Sequence, residues 1–262
     1  MSEAFVFSVA FGLYILADGL LFAAQFTRKE KPARLGLYVG TVGFFVHLSA
    51  MILRIAGSAH APFTNMYESL SFLAWSVVLA WLILQKKTAQ PRLGPYLMLI
   101  VIGLMALASS PLMPKEVAPL VPALQSYWLW LHVSVTLLGE AFFAAAFVSS
   151  LLYLAAGSEE KRLKLDELGY RAVAVGFPLF TLGALVFGMV WAYRAWGRYW
   201  SWDPKEVWSL VTWFVYALYL HTRVVMGWKG RRSAVIAVIG FLAAMFTYFG
   251  VNYFISSLHS YK

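Results

Sequence analysis

Eight apolar runs succeed one another along this chain, near residues 4–25, 36–56, 67–85, 93–110, 129–156, 172–193, 207–227 and 234–256. A hydrocarbon core about 30 Å thick takes about 20 apolar residues per helix. In lipid a segment must close its own backbone hydrogen bonds, which a helix does. The pattern predicts an all-α fold, a polytopic transmembrane helical bundle of about eight spans. With 61% of the 262 residues hydrophobic and only 13% charged, no stretch is left over for a soluble domain. Residues 1–262 therefore read as a single integral-membrane domain. The first run has no positive leader and no small-residue cleavage site, so a retained helix is expected rather than a signal peptide.

A formal net charge of +9 would suit a nucleic-acid binder, but the distribution of that charge argues against one. Fifteen of the 21 Lys and Arg lie in or beside alternate connections: Arg28 to Arg34, Lys86 to Arg92, Lys161 to Arg171 and Arg223 to Arg232. The positive-inside rule puts these connections in the cytoplasm and both termini outside. The charge reports orientation, and no nucleic acid is implied. Within the third group, residues 158–171 read as a cytoplasmic surface helix. Cysteine is absent, which excludes thiol–disulfide exchange, a thiolate metal site and a disulfide-stapled ectodomain.

One outer connection, at about 194–208, differs from the rest. The stretch WGRYWSWDPKEVWSL (196–210) holds five Trp or Tyr residues in fifteen positions, with Arg198, Asp203, Lys205 and Glu206 between them. In DPKE, Asp203 is expected as the N-cap of the seventh helix, Pro204 as its first residue and Glu206 as the capping-box partner. Asn65 and Glu68 repeat that arrangement before the third helix. Trp128, Trp130, Trp191, Trp213 and Trp228 read as an interfacial belt. Trp196, Trp200 and Trp202 crowd one short loop with charges between them, which reads equally well as a platform for a flat ligand or as more of that belt. The five histidines add to the pattern. His132 and His259 fall on the outer side, flanking this stretch, and imidazole is the usual axial ligand of haem iron. His60, in an outer loop, reads as a polar anchor, and so in the first instance does His47. His47 is at mid-span and His221 in the inner half of the seventh helix, where an ionisable side chain is a functional hypothesis by default.

WGRYWSWDPKEVWSL resembles the tryptophan-rich WWD signature of the haem-handling proteins of cytochrome c maturation. NMYESLSFLAW (65–75) and the ending GVNYFISSLHSYK (250–262) are similar to the CcsA/ResC branch of that family, the synthetase component of system II. The resemblance runs over nearly the whole chain. It implies haem b as the bound group, a membrane partner CcsB/ResB, and apocytochrome c with its CXXCH motif as acceptor. It also implies a role within a holocytochrome c synthase that joins haem vinyls to cysteine thiols. The WWD segment, here Trp196, Tyr199, Trp200, Trp202 and Asp203, would hold the haem. His132 and His259 would ligate an outer haem iron, and His221 an inner one shared with the partner chain. His47 stays open as an alternative inner ligand or a residue lining the haem path. Arg194, Arg198 and Arg54 are placed to pair with propionates, although snorkelling explains them equally well. No general acid or nucleophile stands out in the outer loops. The membrane would be a bacterial cytoplasmic or a plastid thylakoid one. Two rivals remain: a CcmC-like haem-delivery protein of system I, and a transporter of another aromatic or anionic solute. The transporter predicts helices broken at mid-span, of which Pro178 and its neighbouring glycines are a faint version.

Overall fold

The computed structural model describes residues 2–58, 60–88, 93–116, 120 and 122–255, with no side-chain detail at 86–88. Each apolar run is helical, and the described residues hold no strand. Six helices have the length and apolarity of a membrane crossing: Glu3–Thr27, Glu30–Ser58, Met66–Gln85, Tyr127–Ala155, Glu159–Trp196 and Arg231–Phe254. This is an integral membrane protein. The eight expected spans divide into these six and two others. The helix Gly94–Ser109 is apolar but only 16 residues long. Pro204–Val224, at 21 residues, is long enough, but its many Trp, Tyr and Thr side chains and its His221–Arg223 end lower its apolarity.

The chain forms two compact units, Met1–Ala118 and Pro119–Lys262. The first contains α1 (Glu3–Thr27), α2 (Glu30–Ser58), α3 (Met66–Thr88) and α4 (Gly94–Ser109). Ser2 caps α1 by accepting from the Phe5 amide. α1 lies along α2 and against α4, and α3 packs on α4 and α2. Small residues set the α1–α2 distance. A Cβ at Gly43 would come within 2.9 Å of the Tyr14 ring, so only glycine admits this approach.

The second unit contains α5 (Tyr127–Ala155), α6 (Glu159–Phe180), α7 (Gly188–Trp196), α8 (Pro204–Val224), α9 (Arg231–Met245) and the short α10 (Val251–Phe254). Its inner layer is α5, flanked by α6 and α9, with α8 on α9. The expected surface helix at 158–171 is instead the first half of α6. Leu168, Gly169, Ala172 and Val173 carry a buried face straight into the apolar run. Asp166 binds Arg223 of α8 at 2.7 Å and the Gly230 amide at 2.8 Å, which fixes the far end of α8 to α6. Three residues beyond Pro178, the rod widens into a π-helix, Thr181–Phe187, before α7 resumes. A second π-helix, Phe246–Gly250, follows α9. Proline removes an amide donor and π turns shift the carbonyl register. The helix is locally re-registered, not broken.

Candidate functional site

The first π-helix positions a histidine. His132, in the second turn of α5, sets Nδ1 2.8 Å from the carbonyl oxygen of Gly183. A carbonyl only accepts, so Nδ1 carries the hydrogen and the lone pair lies on Nε2. Glycine at 183 allows the contact, because a Cβ there would collide with the Val135–Thr136 backbone of α5. Gly188 leaves room for the ring itself, with a Cβ falling 3.0 Å from Nδ1. Trp191 stacks on the imidazole, ring centroids 5.6 Å apart and planes within 9° of parallel. Trp191 is 3% exposed, and its Nε1 donates to the Ala123 carbonyl at 2.9 Å. It then meets Trp196 edge to face at 4.8 Å. His132, Trp191 and Trp196 thus form one continuous ring assembly at the end of α7.

Trp191 departs from the sequence expectation. It was expected in the interfacial belt, but it is buried and joins the histidine to the tryptophan-rich loop. Its five-residue spacing from Trp196 carries no clear helical signal. The contact to His132 is made across 59 positions of chain. Trp213 is likewise more than a belt residue, since its Nε1 donates to Thr181 Oγ1 at 3.0 Å, at the start of the π-helix.

Beyond α7 the loop displays its aromatic surface. Tyr199 is 55% and Trp202 72% exposed, while Trp200 is half-buried and meets Trp202 edge to face at 5.8 Å. Tyr199 stacks on Tyr193 at 4.5 Å. Trp202 adopts φ +61°, the left-handed region that costs a bulky residue about 1–3 kcal/mol. Exposure and backbone strain therefore coincide on one tryptophan. The loop ends as the sequence predicts. Asp203 is buried and accepts from the Lys205 amide at 3.0 Å, and Glu206 accepts from the Asp203 amide at 3.2 Å and the Ser201 amide at 2.7 Å. This capping box starts α8.

The other expected residues are scattered. Arg194 and Arg198 are exposed beside the loop. Arg54 belongs to the first unit, where its guanidinium is engaged by Glu68 at 2.9 Å, by the Lys115 carbonyl at 2.8 Å and by Glu3 at 3.8 Å. Asn65 does cap α3, accepting from the Glu68 amide at 2.9 Å. Glu68 turns instead to Thr64 and Arg54. His221 is exposed in the last turns of α8, eighteen residues and about 27 Å from the Asp203 cap. His259 lies outside the described residues. Among the described residues no three His, Cys, Asp or Glu side chains gather as a metal site.

These features define a polytopic helical membrane protein that holds an oriented imidazole beside a strained aromatic loop. The model of the cytochrome c assembly protein family matches residues 63–259, and the chain belongs to that family. It is 41% identical to the cytochrome c biogenesis protein CcsA of Chlamydomonas reinhardtii, over 93% of this chain and 73% of that one. It is 34% identical to CcsA of Gloeobacter violaceus over 97% and 94%, and 39% identical to CcsA of Synechococcus sp. (strain CC9605) over 96% and 93%. In fold it is similar to a solved cytochrome c haem lyase, CcmF, with a TM-score of 0.72 at 17% identity. That match covers 94% of this chain and 47% of the lyase.

Proposed function

We propose that this protein presents haem b to apocytochrome c as the CcsA-type subunit of a two-protein synthase, with CcsB/ResB as its membrane partner. The observation that carries the reading is the bond from His132 Nδ1 to the Gly183 carbonyl. Ligating histidines characteristically donate their second ring N–H to a carbonyl or carboxylate, which fixes tautomer and orientation. His132 is held in that way, between a π-helical carbonyl and the Trp191 face. Trp196, Tyr199, Trp200 and Trp202 supply flat contact area for a porphyrin, and Arg194 and Arg198 lie close enough in sequence to receive its propionates. His259 is proposed as the second axial ligand of the outer haem.

In this reading the chain positions its substrate and contributes no acid or nucleophile. The incoming CXXCH histidine displaces one axial imidazole, and the cysteine thiols are brought beside the vinyl groups, so orientation supplies much of the rate. His221 is proposed as the inner ligand. Its exposure on α8 leaves it accessible to a histidine from the companion chain, and its distance from the loop requires a separate haem. The loop side is proposed to face the periplasm or lumen. Residues 1–262 act as one functional domain in this scheme.

The test is the visible spectrum of the full-length protein purified with CcsB. A bis-histidine Soret and α-band pattern is expected, lost from the outer site in His132→Ala and partly restored by added imidazole. A colourless preparation overturns the proposal.

A further inference from the structure

The carbonyl that orients His132 depends on a helix register that an ordinary α-helix would not supply. In an α-helix the Gly183 oxygen would accept from the amide four residues on. Here it accepts from the Gly188 amide, five residues on, and also from His132 Nδ1 at 2.8 Å. A return to α register would turn α7 against α6 by one residue's rotation, about 100°. Three contacts to one imidazole would be lost together: the Gly183 carbonyl, the space left by Gly188 and the Trp191 stack. π turns are rare and poorly self-sustaining, so neighbouring elements must hold this one.

Two neighbours do so. α5 lies so close on one side that a Cβ at residue 183 would meet the Val135–Thr136 backbone. α8 grips the entry on another. Trp213 Nε1 donates to Thr181 Oγ1 at 3.0 Å, and that hydroxyl donates onward to the Phe177 carbonyl at 2.8 Å. An indole only donates and a carbonyl only accepts, so the single hydroxyl hydrogen has one possible direction. The Trp213 ring also lies on the Phe177 ring, centroids 5.4 Å apart. The grip falls where the register changes, because the Thr181 amide is shared between the Phe177 and Pro178 carbonyls. None of these residues is near His132 in sequence, and neither Thr181 nor Trp213 is recorded against its ring.

We propose that Thr181 and Trp213 are positioning residues for the axial histidine: they hold the helix in π register at its entry and so aim the Gly183 carbonyl at His132 Nδ1. The assignment rests on the reading of His132 as a haem ligand. Its chemical consequence falls on the opposite nitrogen, since donation from Nδ1 to a carbonyl makes Nε2 the more basic ligand. A more basic imidazole favours ferric over ferrous iron. Both ends of the tryptophan-rich loop are thereby tied to one imidazole, the start through Trp196 and Trp191 and the end through α8 and Trp213.

The positioning is tested first without haem. The full chain, labelled with nitrogen-15 at histidine only, is placed in lipid nanodiscs, and NMR reads which ring nitrogen carries the hydrogen. Loss of a signal in His132→Gln identifies that residue. Wild-type His132 should carry its hydrogen on Nδ1. Thr181→Val should raise the Nε2-protonated fraction about tenfold, and Trp213→Phe, which keeps a ring on Phe177, about threefold. Thr181→Ser should match wild type. In the complex with CcsB and haem, the first two variants should keep their haem and raise the midpoint potential of the outer site. A tenfold loss of preference for the ferric form corresponds to about 59 mV. A wild-type tautomer in both Thr181→Val and Trp213→Phe overturns the proposal, and so does a wild-type potential in both haem-loaded variants. A shifted tautomer in a chain whose wild-type complex is colourless supports the positioning and overturns only the haem reading.

Discussion

His132 and His47 are both tucked against an aromatic ring, and both bond a residue far away in sequence, yet their environments differ in kind. Nδ1 of His132 meets a backbone carbonyl, which only accepts, so its tautomer is fixed and its lone pair is directed from Nε2. The nitrogens of His47 meet a serine and a tyrosine hydroxyl, each able to donate or accept. The first arrangement suits a ligand that must point one way for the life of a complex. The second leaves the tautomer open, since either hydroxyl can donate or accept. For histidine in a membrane protein, the chemistry of the second partner is more informative than depth or burial.

The contrast breaks most readily at the rings themselves. His132→Ala should lower haem retention by about 100-fold or more, given that even outer-shell partners of a ligating histidine carry about 10–100-fold. His47→Leu should leave the haem spectrum unchanged. Absorbance per milligram of copurified complex checks both, and equal losses would erase the distinction. Gly188→Ala comes next. Its new Cβ would fall 3.0–3.1 Å from Nδ1 and Cε1 of His132, pushing the ring from the Gly183 carbonyl on the side away from Nε2. We expect about tenfold weaker haem retention by competitive titration, within the range for disturbed outer-shell contacts. The smallest effect belongs to the loop's anchor. Asp203→Leu removes the N-cap of α8 at a cost of about 1 kcal/mol, whereas Asp203→Asn keeps an acceptor and should cost much less. Thermal melts of the two variants measure the difference. Equal losses would mean that the carboxylate's charge, not its cap, matters to the loop.

Much of this was legible in the sequence because it is written in local periodicity. The apolar runs specify helices, DPKE specifies a cap, and a short loop crowded with Trp196, Trp200 and Trp202 announces itself by composition. Those features depend on residues within a turn or two of one another, where spacing and geometry are nearly the same thing. The motif resemblance reached the family for the same reason, since WGRYWSWDPKEVWSL is a contiguous string.

What the tertiary structure alone decided are the pairings across many residues. Nothing local says that the Gly183 carbonyl will be turned toward His132, because that depends on a π-helical shift of register after Pro178 and on how closely α5 approaches it. Trp191 looked like any interfacial tryptophan until packing placed it on the imidazole. Nothing local to Arg54 says that Glu68 and Glu3 will meet its guanidinium. Nothing local says that Tyr14 and Ser71 will meet the two nitrogens of His47. A side chain's residue type sets what it is able to do, and its partner's ability to donate or accept selects among those possibilities. That partner is chosen by the fold.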